Sequence, residues 1–529
     1  MNLSIKQVAC IFMCWLGMVM PALAQSGEDL IDPDAFGYYE RALSFSRDEL
    51  VGSSRVLGYG GAQTALGGDL STLAMNPAGI AVFRKSDAGL SLGLQFGNSS
   101  SKYFSPTEET TTRDRKDNLN ITNMGVVFAE ASDDPKKGPW KTQAFGITLT
   151  RQSNFHDRVS YQGDNTDNSF RGFLAESMNG IYWADLNLQR TTNENVVDDL
   201  LGAAYWTYLG NAIAEDDDQS NSNNYRYFTI NPDVGSTQKE VITTTGRKQQ
   251  WNFAYGANYE DKILIGADIG IASMKHEIRR RYTETPFGND TTDLESLVFE
   301  EAELTDGNGI NINGGIIVKP IDLLRVGVSF HSPTFFSLTE EYQSSLQANY
   351  NDLSLFGQPG AREFEYSTAP SVFEYSLVTP WRVSLGTAIF MGKNGFLTAD
   401  VDYVGYDRMQ LNSDIDPLSA DNATIISAYK STANYRLGGE FRSGDFRARA
   451  GFAYYGDPQR KELENISLSQ TYITLGGGIK TKDYYLDLVL LRTSDQRGTR
   501  RYAVSSGNEP IIRSKSNNVQ VVVTGGVTF

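Results

Sequence analysis

Only two cysteines occur in the 529 residues, Cys10 and Cys14. Everything downstream lacks a thiol, which excludes disulfides, cysteine metal sites and a cysteine nucleophile there. Histidine is nearly as scarce, with His156, His276 and His331 alone. No HExxH, nucleophile elbow or cysteine pair is present, so the commonest zinc and hydrolase signatures are missing. His331 precedes Ser332, but neighbours on a strand face opposite sides, and the pair does not make a Ser-His site. No enzyme is expected. Asp32-Pro33-Asp34 with Gly37 opens like a calcium loop, yet position twelve is Leu43 where a glutamate is required. No cofactor or metal is expected. Basic charge is in deficit, with 47 Lys and Arg against 64 Asp and Glu and a net charge of -17. That excludes the basic patches by which proteins hold nucleic acid.

No apolar run reaches the ~20 residues of a membrane helix. The longest, Val8 to Met20, follows Lys6 and precedes Ala22-Leu23-Ala24. It reads as an export signal over 1–24, cleaved before Gln25. Removing Lys6 with it leaves a charge of -18. No Pro-rich or Ser-rich linker divides the chain after residue 90, so one large closed unit is expected.

What is abundant is alternation. Val519, Val521, Val523, Gly525, Val527 and Phe529 share one face of the terminal segment, opposite Gln520, Thr524 and Thr528. Phe446, Ala448, Ala450, Phe452 and Tyr454 alternate with Arg447 and Arg449, and Leu486, Leu488 and Leu490 with Asp487. Strict period two means strand. Charges opposite the apolar set suit a wet lumen behind a lipid-facing wall, and a negative mean hydropathy permits this. About fourteen strands are predicted, at 88–97, 120–130, 140–151, 248–259, 262–281, 307–319, 322–331, 372–391, 395–411, 428–442, 445–455, 469–480, 483–493 and 517–529. The fold class is all-β, a transmembrane antiparallel barrel over 87–529. Tyrosines near strand ends, such as Tyr255, Tyr259, Tyr403 and Tyr484, suit the headgroup level.

Residues 25–86 lack strand periodicity. They carry a candidate helix near Ala35 to Leu50, the glycines Gly58, Gly60, Gly61, Gly67 and Gly68, and then Asn76-Pro77-Ala78-Gly79. Glycines let a backbone fold tightly in a confined space. A strand-poor, Gly-rich segment ending in Asn-Pro-Ala directly before the first strand resembles the hatch of the FadL/TodX-type outer-membrane transporters of hydrophobic compounds. That resemblance implies a fourteen-stranded barrel with a hatch in its bore. It makes Asn76, Pro77, Ala78 and Gly79 hatch positions that pin the plug to the inner wall.

Between the third and fourth predicted strands, 152–247 reads as a long extracellular loop, too long to be an ordinary connection. Phe170, Phe173, Leu174, Met178, Ile181 and Tyr182 follow helical spacing, as do Val197, Leu200, Leu201, Ala204, Tyr205, Tyr208, Leu209 and Ala212. Asn195 with Asp198 and Asp199 supplies a start for the second set. Two amphipathic helices packing on each other satisfy this pattern; the resemblance implies a groove that captures hydrophobic ligand. Phe173, Leu174, Met178, Leu201, Tyr205, Tyr208 and Leu209 are its candidate contacts. Arg382, Arg447 and Arg449 are candidate partners for a carboxylate head group, because Arg offers a two-point fork. Pairing with Asp400, Asp402, Glu440 or Asp487 is the competing use of lumen arginines.

The expected protein is a monomeric barrel of the Gram-negative outer membrane, in contact with its lipids. It passes hydrophobic molecules, long-chain fatty acids first among them, past its hatch without an energy source. A receptor for haem or another hydrophobic nutrient, and an adhesin or structural barrel, are the alternatives.

Overall fold

The computed structural model describes residues 30–32, 34–105, 109–132, 134, 138–188, 195–197, 199–213, 225–229, 235–287, 294–357, 359–415, 417–461, 466–504 and 509–529. The expected export signal with both cysteines, Pro33, Asp198 and the acidic run Asp216-Asp217-Asp218 lie outside the described residues.

Fourteen antiparallel strands close into a barrel. They begin at Asp87–Phe104, Glu109–Ala131, Trp140–Asn154, Ser236–Tyr259, Ile263–Pro286, Leu294–Ile321 and Leu324–His331. Arg382–Phe390, Gly395–Gly405, Ser431–Ser443, Phe446–Tyr455, Gln470–Lys480, Tyr484–Thr499 and Ile511–Thr528 complete the circuit. The first strand pairs with the last from Asp87 opposite Thr528 to Phe104 opposite Ile511, so no edge is left free.

The period-two pattern decides which face looks outward. Leu90, Leu92 and Leu94, Leu486, Leu488 and Leu490, and Val523 and Val527 are exposed on the outer wall, while their neighbours are covered inside. So continuous an apolar surface matches a bilayer and not water. Phe128, Trp140, Tyr255, Tyr259, Phe446, Tyr484 and Phe529 are exposed near one rim of it. Trp251, Phe330, Tyr403 and Tyr454 are exposed toward the other.

The two barrel ends differ. One has tight turns, such as Glu260 and Asp261 at φ 50 and 56, and the short connections 322–323, 444–445 and 481–483. The other carries every long connection, including 166–235, 406–430 and 456–469. Short periplasmic turns and long outer loops are the usual asymmetry of outer-membrane barrels.

Several strands run well past the predicted ends. The stretches 109–119, 236–247 and 294–306 are strand although no alternation marked them, and Asp157–Asn165 prolongs the third strand. The loop expected over 152–247 therefore shrinks at both ends. These extensions stand beyond the lipid-facing wall, so no apolar outer face marks them, although Leu294, Leu297 and Phe299 pack inward on the loop cluster. Phe335–Tyr350 and Ser371–Val378 form a further ribbon above the seventh and eighth barrel strands.

Residues 34–86 run down the bore. Helix Tyr38–Ser46 lies at the loop end, where its buried Tyr39, Ala42, Leu43 and Phe45 pack on Leu411, Ile425 and Tyr429. Its N-cap is Gly37, which offers no side chain. Asp421, from helix Ser419–Ala428, takes that part instead, accepting from Phe36 N and Tyr39 N at 3.0 Å each. Below it follow Ser54–Gly58, Thr72–Met75 and the 3-10 turn Pro77–Val82, whose apolar side chains are buried between the segment and the wall.

Candidate functional site

Toward the short-turn end, this inner segment sits on an arc of wall glycines. A Cβ at Gly266 would overlap Pro77, one at Gly315 would overlap Asn76 Oδ1, and one at Gly327 would overlap Thr64 O. Gly438 and Gly451 meet Tyr59 and Gly60 in the same way. Several of these are direct cross-strand partners: Gly266 faces Gly315, Gly327 faces Gly386, and Gly438 faces Gly451. Backbone thus lies on backbone with no side chain between. Asn76 is fully buried; its Nδ2 donates to Thr64 O at 2.7 Å and to Val328 O at 3.4 Å, and its Oδ1 accepts from Ala78 N at 3.1 Å. One amide thereby joins two parts of the segment to the wall. Pro77 and Ala78 lie against Gly266, and Gly79 accepts from Gly68 N at 3.0 Å.

Above this floor lies a cavity lined largely by polar groups, among them Gln152, Gln250, Asn311, Asn313, Thr334 and Thr379. The amides hold one another: Gln152 Nε2 donates to Gln250 Oε1 at 2.8 Å, and Asn311 Nδ2 to Gln250 Oε1 at 2.9 Å and Thr334 Oγ1 at 2.8 Å. One wall of the cavity is a charge cluster. Asp48, just past helix Tyr38–Ser46, pairs with Lys248 Nζ at 2.8 Å and Arg382 Nη1 at 3.1 Å. Lys248 also donates to Phe45 O at 2.8 Å and Arg47 O at 3.3 Å. His331 Nε2 stands 2.7 Å from Met75 O, and its Nδ1 stands 3.4 Å from Arg382. Burial pushes the Asp48 carboxyl up, but Lys248 and Arg382 outweigh it and hold the group below its ordinary range. The next residue behaves oppositely. Burial drives Glu49 up to about 7, against the pull of the Asn154 N–H that it accepts at 2.9 Å.

The candidate residues fall in three places. Phe173, Leu174, Met178, Leu201, Tyr205, Tyr208 and Leu209 come together in one cluster at the loop end, with Tyr282, Phe299, Tyr350 and Tyr502. Leu174, Met178 and Leu209 are buried in its centre, whereas Phe173, Leu201, Tyr205 and Tyr208 are half-buried at its margin. Two capped helices build it: Phe170–Met178, where Ser169 Oγ accepts from Gly172 N, and Leu200–Trp206, where Asp199 accepts from Gly202 N at 2.8 Å. Both are shorter than their sequence patterns. Ile181 and Tyr182 lie beyond the first, Val196–Val197 is a strand beside Ser367–Thr368, and Ala212 belongs to strand Asn211–Ile213. β-pairing takes Val197 and Ala212 out of the second helix, and a turn from Met178 O to Ile181 N ends the first.

Arg382 lines the polar cavity. Arg447 and Arg449 are far from both places. Arg449 is buried between Glu440 and Asp487, at 2.6 Å from each, and lies against Gly58. Arg447 is at a short turn and donates to Gly444 O and Phe446 O. Asp400 and Asp402 are likewise engaged by Arg436. Sequence reasoning missed Asp48, Lys248, His331 and the wall glycines. The glycines had a readable signal, since Gly438 is in phase with Arg436 and Glu440, and Gly451 with Arg449.

No protein-family model matches the chain, and no curated protein matches it by sequence. Solved structures do match. A FadL homologue of Pseudomonas aeruginosa aligns over 92% of this chain and 99% of its own at 13% identity, with a TM-score of 0.51. The chain has the FadL-type fold. The Pseudomonas putida toluene transporter TodX aligns over 92% and 100% at 13% identity with a TM-score of 0.47. The Ralstonia pickettii toluene transporter TbuX covers 90% and 98% at 14% identity with a TM-score of 0.46.

Proposed function

We propose that this protein is an outer-membrane channel of the FadL/TodX family that admits hydrophobic molecules by diffusion, as a monomer, with long-chain fatty acids as its cargo. The reading rests chiefly on the closed barrel with an apolar outer wall whose bore is filled by its own N-terminal segment. An open pore for small solutes has no use for such a stopper; a conduit that must hold its cargo does.

The loop cluster is the entry point. Phe173, Leu201, Tyr205 and Tyr208 present partly covered apolar surface at the end with long connections. Each methylene leaving water contributes roughly 0.8 kcal/mol, so a long acyl chain has a gross driving force of ~10 kcal/mol toward such a surface. The head group then meets Arg382 in the polar cavity. Arg447 and Arg449 already have partners in the structure and take no part in this route.

Uptake of radiolabelled oleate by cells with and without the gene tests the reading; equal uptake refutes it. Leu201→Asp together with Tyr205→Asp should cut that uptake at least tenfold while the barrel still assembles, as judged by its heat-modifiable gel mobility. Leu209 is unsuitable for this purpose, because an Asp at so buried a position would disrupt the loop itself.

A further inference from the structure

Where the strands rise past the apolar wall, their outer face is unevenly charged. On the second, first and last strands the rows can be followed through the register. Leu94 faces Leu119 and Val521 in the wall itself, and Phe96 follows, opposite Asp117 and Val519. Then come Asn98 opposite Arg115, Ser100 between Arg113 and Lys515, and Lys102 between Thr111 and Arg513. Each row is two residues higher, ~7 Å along a strand and ~5 Å in height at the usual tilt. Lipid head groups occupy roughly 5 to 8 Å beyond the hydrocarbon. Arg115 therefore stands within that layer, with Arg113 and Lys515 at its outer edge.

Among the described residues, the five cations of this face meet only two carboxylates, and both are taken. Arg115 holds Asp117 at 2.8 Å, and Lys102 holds Glu109 at 2.6 Å. No carboxylate among the described residues pairs with Arg113 or Lys515, and both side chains are exposed. On the far side of the barrel the outer face of the extensions is acidic instead, with Asp306, Glu341 and Glu374 exposed. A chain of net charge -17 thus gathers unpaired positive charge at one place on its rim.

We propose that this face binds a phosphate-bearing glycolipid of the outer leaflet. Neighbouring strands are ~4.8 Å apart, so Arg113 and Lys515 start ~10 Å apart and reach one phosphate from either side of Ser100, whose short side chain leaves it room. Asn98 in the next row offers an amide to the sugar, and Phe96, Val519 and Leu94 beneath receive the acyl chains. Arg115 lies over the Phe96 ring, 5.5 Å from its centre, and joins the two levels. Cations placed directly above a lipid-facing wall suit a lipid better than an acidic protein, which has no use for the apolar rows. The lipid would span the seam between first and last strands and tie it from outside. This rests on the outer-membrane reading above and adds a lipid partner to it.

Native mass spectrometry of the full-length protein in non-ionic detergent, titrated with bisphosphorylated lipid A, is the test. The barrel should retain one lipid A at least tenfold more tightly than the dephosphorylated form, and excess inorganic phosphate should not displace it. Arg113→Gln with Lys515→Gln should lose the preference. Lys262→Gln with Lys393→Gln removes as many exposed charges from the short-turn end and should keep it. Equal binding of the two lipids, displacement by inorganic phosphate, or equal loss in both double variants would overturn the proposal. Flotation with phosphatidylcholine vesicles separates it from the reading beneath: a protein that inserts but shows no preference sinks the lipid site alone, and one that enters no bilayer sinks both. Should the first double variant not assemble, the parent protein's discrimination between the two lipids still decides the matter.

Discussion

Gly315 and Gly314 are neighbours on one strand with opposite duties. A methyl group on Gly315 overlaps Asn76 Oδ1, while one on Gly314 meets only the Gly266 carbonyl oxygen, at 4.0 Å. Gly315→Ala should therefore push the Asn-Pro-Ala turn off the wall and raise single-channel conductance in planar bilayers. Gly314→Ala should leave conductance at the parent level. Asn76 itself was singled out from its place in the chain, and its burial and hydrogen bonds could not be read there. The wall glycines were legible in principle, being in phase with the charged face, but strand glycine is easily taken for plain weakness in a strand. Asp48 was not legible. A lone acid after a helix carries no mark of partners two hundred and more residues away.

Glu49 gives the residue scale a pH dependence. Its folded value, about 7, lies above the ordinary 4.5, so the neutral form is the one the folded lumen favours. Its contribution to stability is fully present below the unfolded value and is lost as pH rises through about 7. The thermal midpoint of unfolding should accordingly fall as pH rises across that window. Glu49→Gln should flatten the fall.

At the scale of elements, the sequence reported strands where they cross lipid and fell silent where they leave it. The Phe446–Tyr455 strand alternates along its whole length because one face is always outside. Ser236–Tyr259 alternates in the same way only over its lower half, since its upper half stands among polar loops. The two loop helices were placed nearly correctly by their apolar spacing, with Asp199 marking the start of the second; their limits were missed where β-pairing takes over, as at Val196–Val197 and Ala212. Helix Tyr38–Ser46 shows the same dependence on remote chain. Its cap, Asp421, is supplied from another helix, so Asp421→Ala should cost about 1 kcal/mol of local stability. Faster proteolysis within 30–46, with the barrel still intact, would be the readout.

For the whole molecule, the barrel and its count of about fourteen strands followed from the alternation, and these were the most legible features. The polar cavity was not, because its lining is drawn from the third, fourth and sixth to eleventh strands and from the inner segment at once, and no local pattern spans such distances. The arc of glycines also constrains how the protein is made. A stopper seated backbone on backbone along much of the wall leaves little clearance to slide in after the first and last strands have zipped together. The order of assembly is then fixed, with residues 50–86 in position before the seam closes and the later strands wrapping around them. Barrels refolded from 87–529 alone should not be blocked when a peptide of 50–86 is added afterwards, though the same peptide present throughout refolding should lower their conductance.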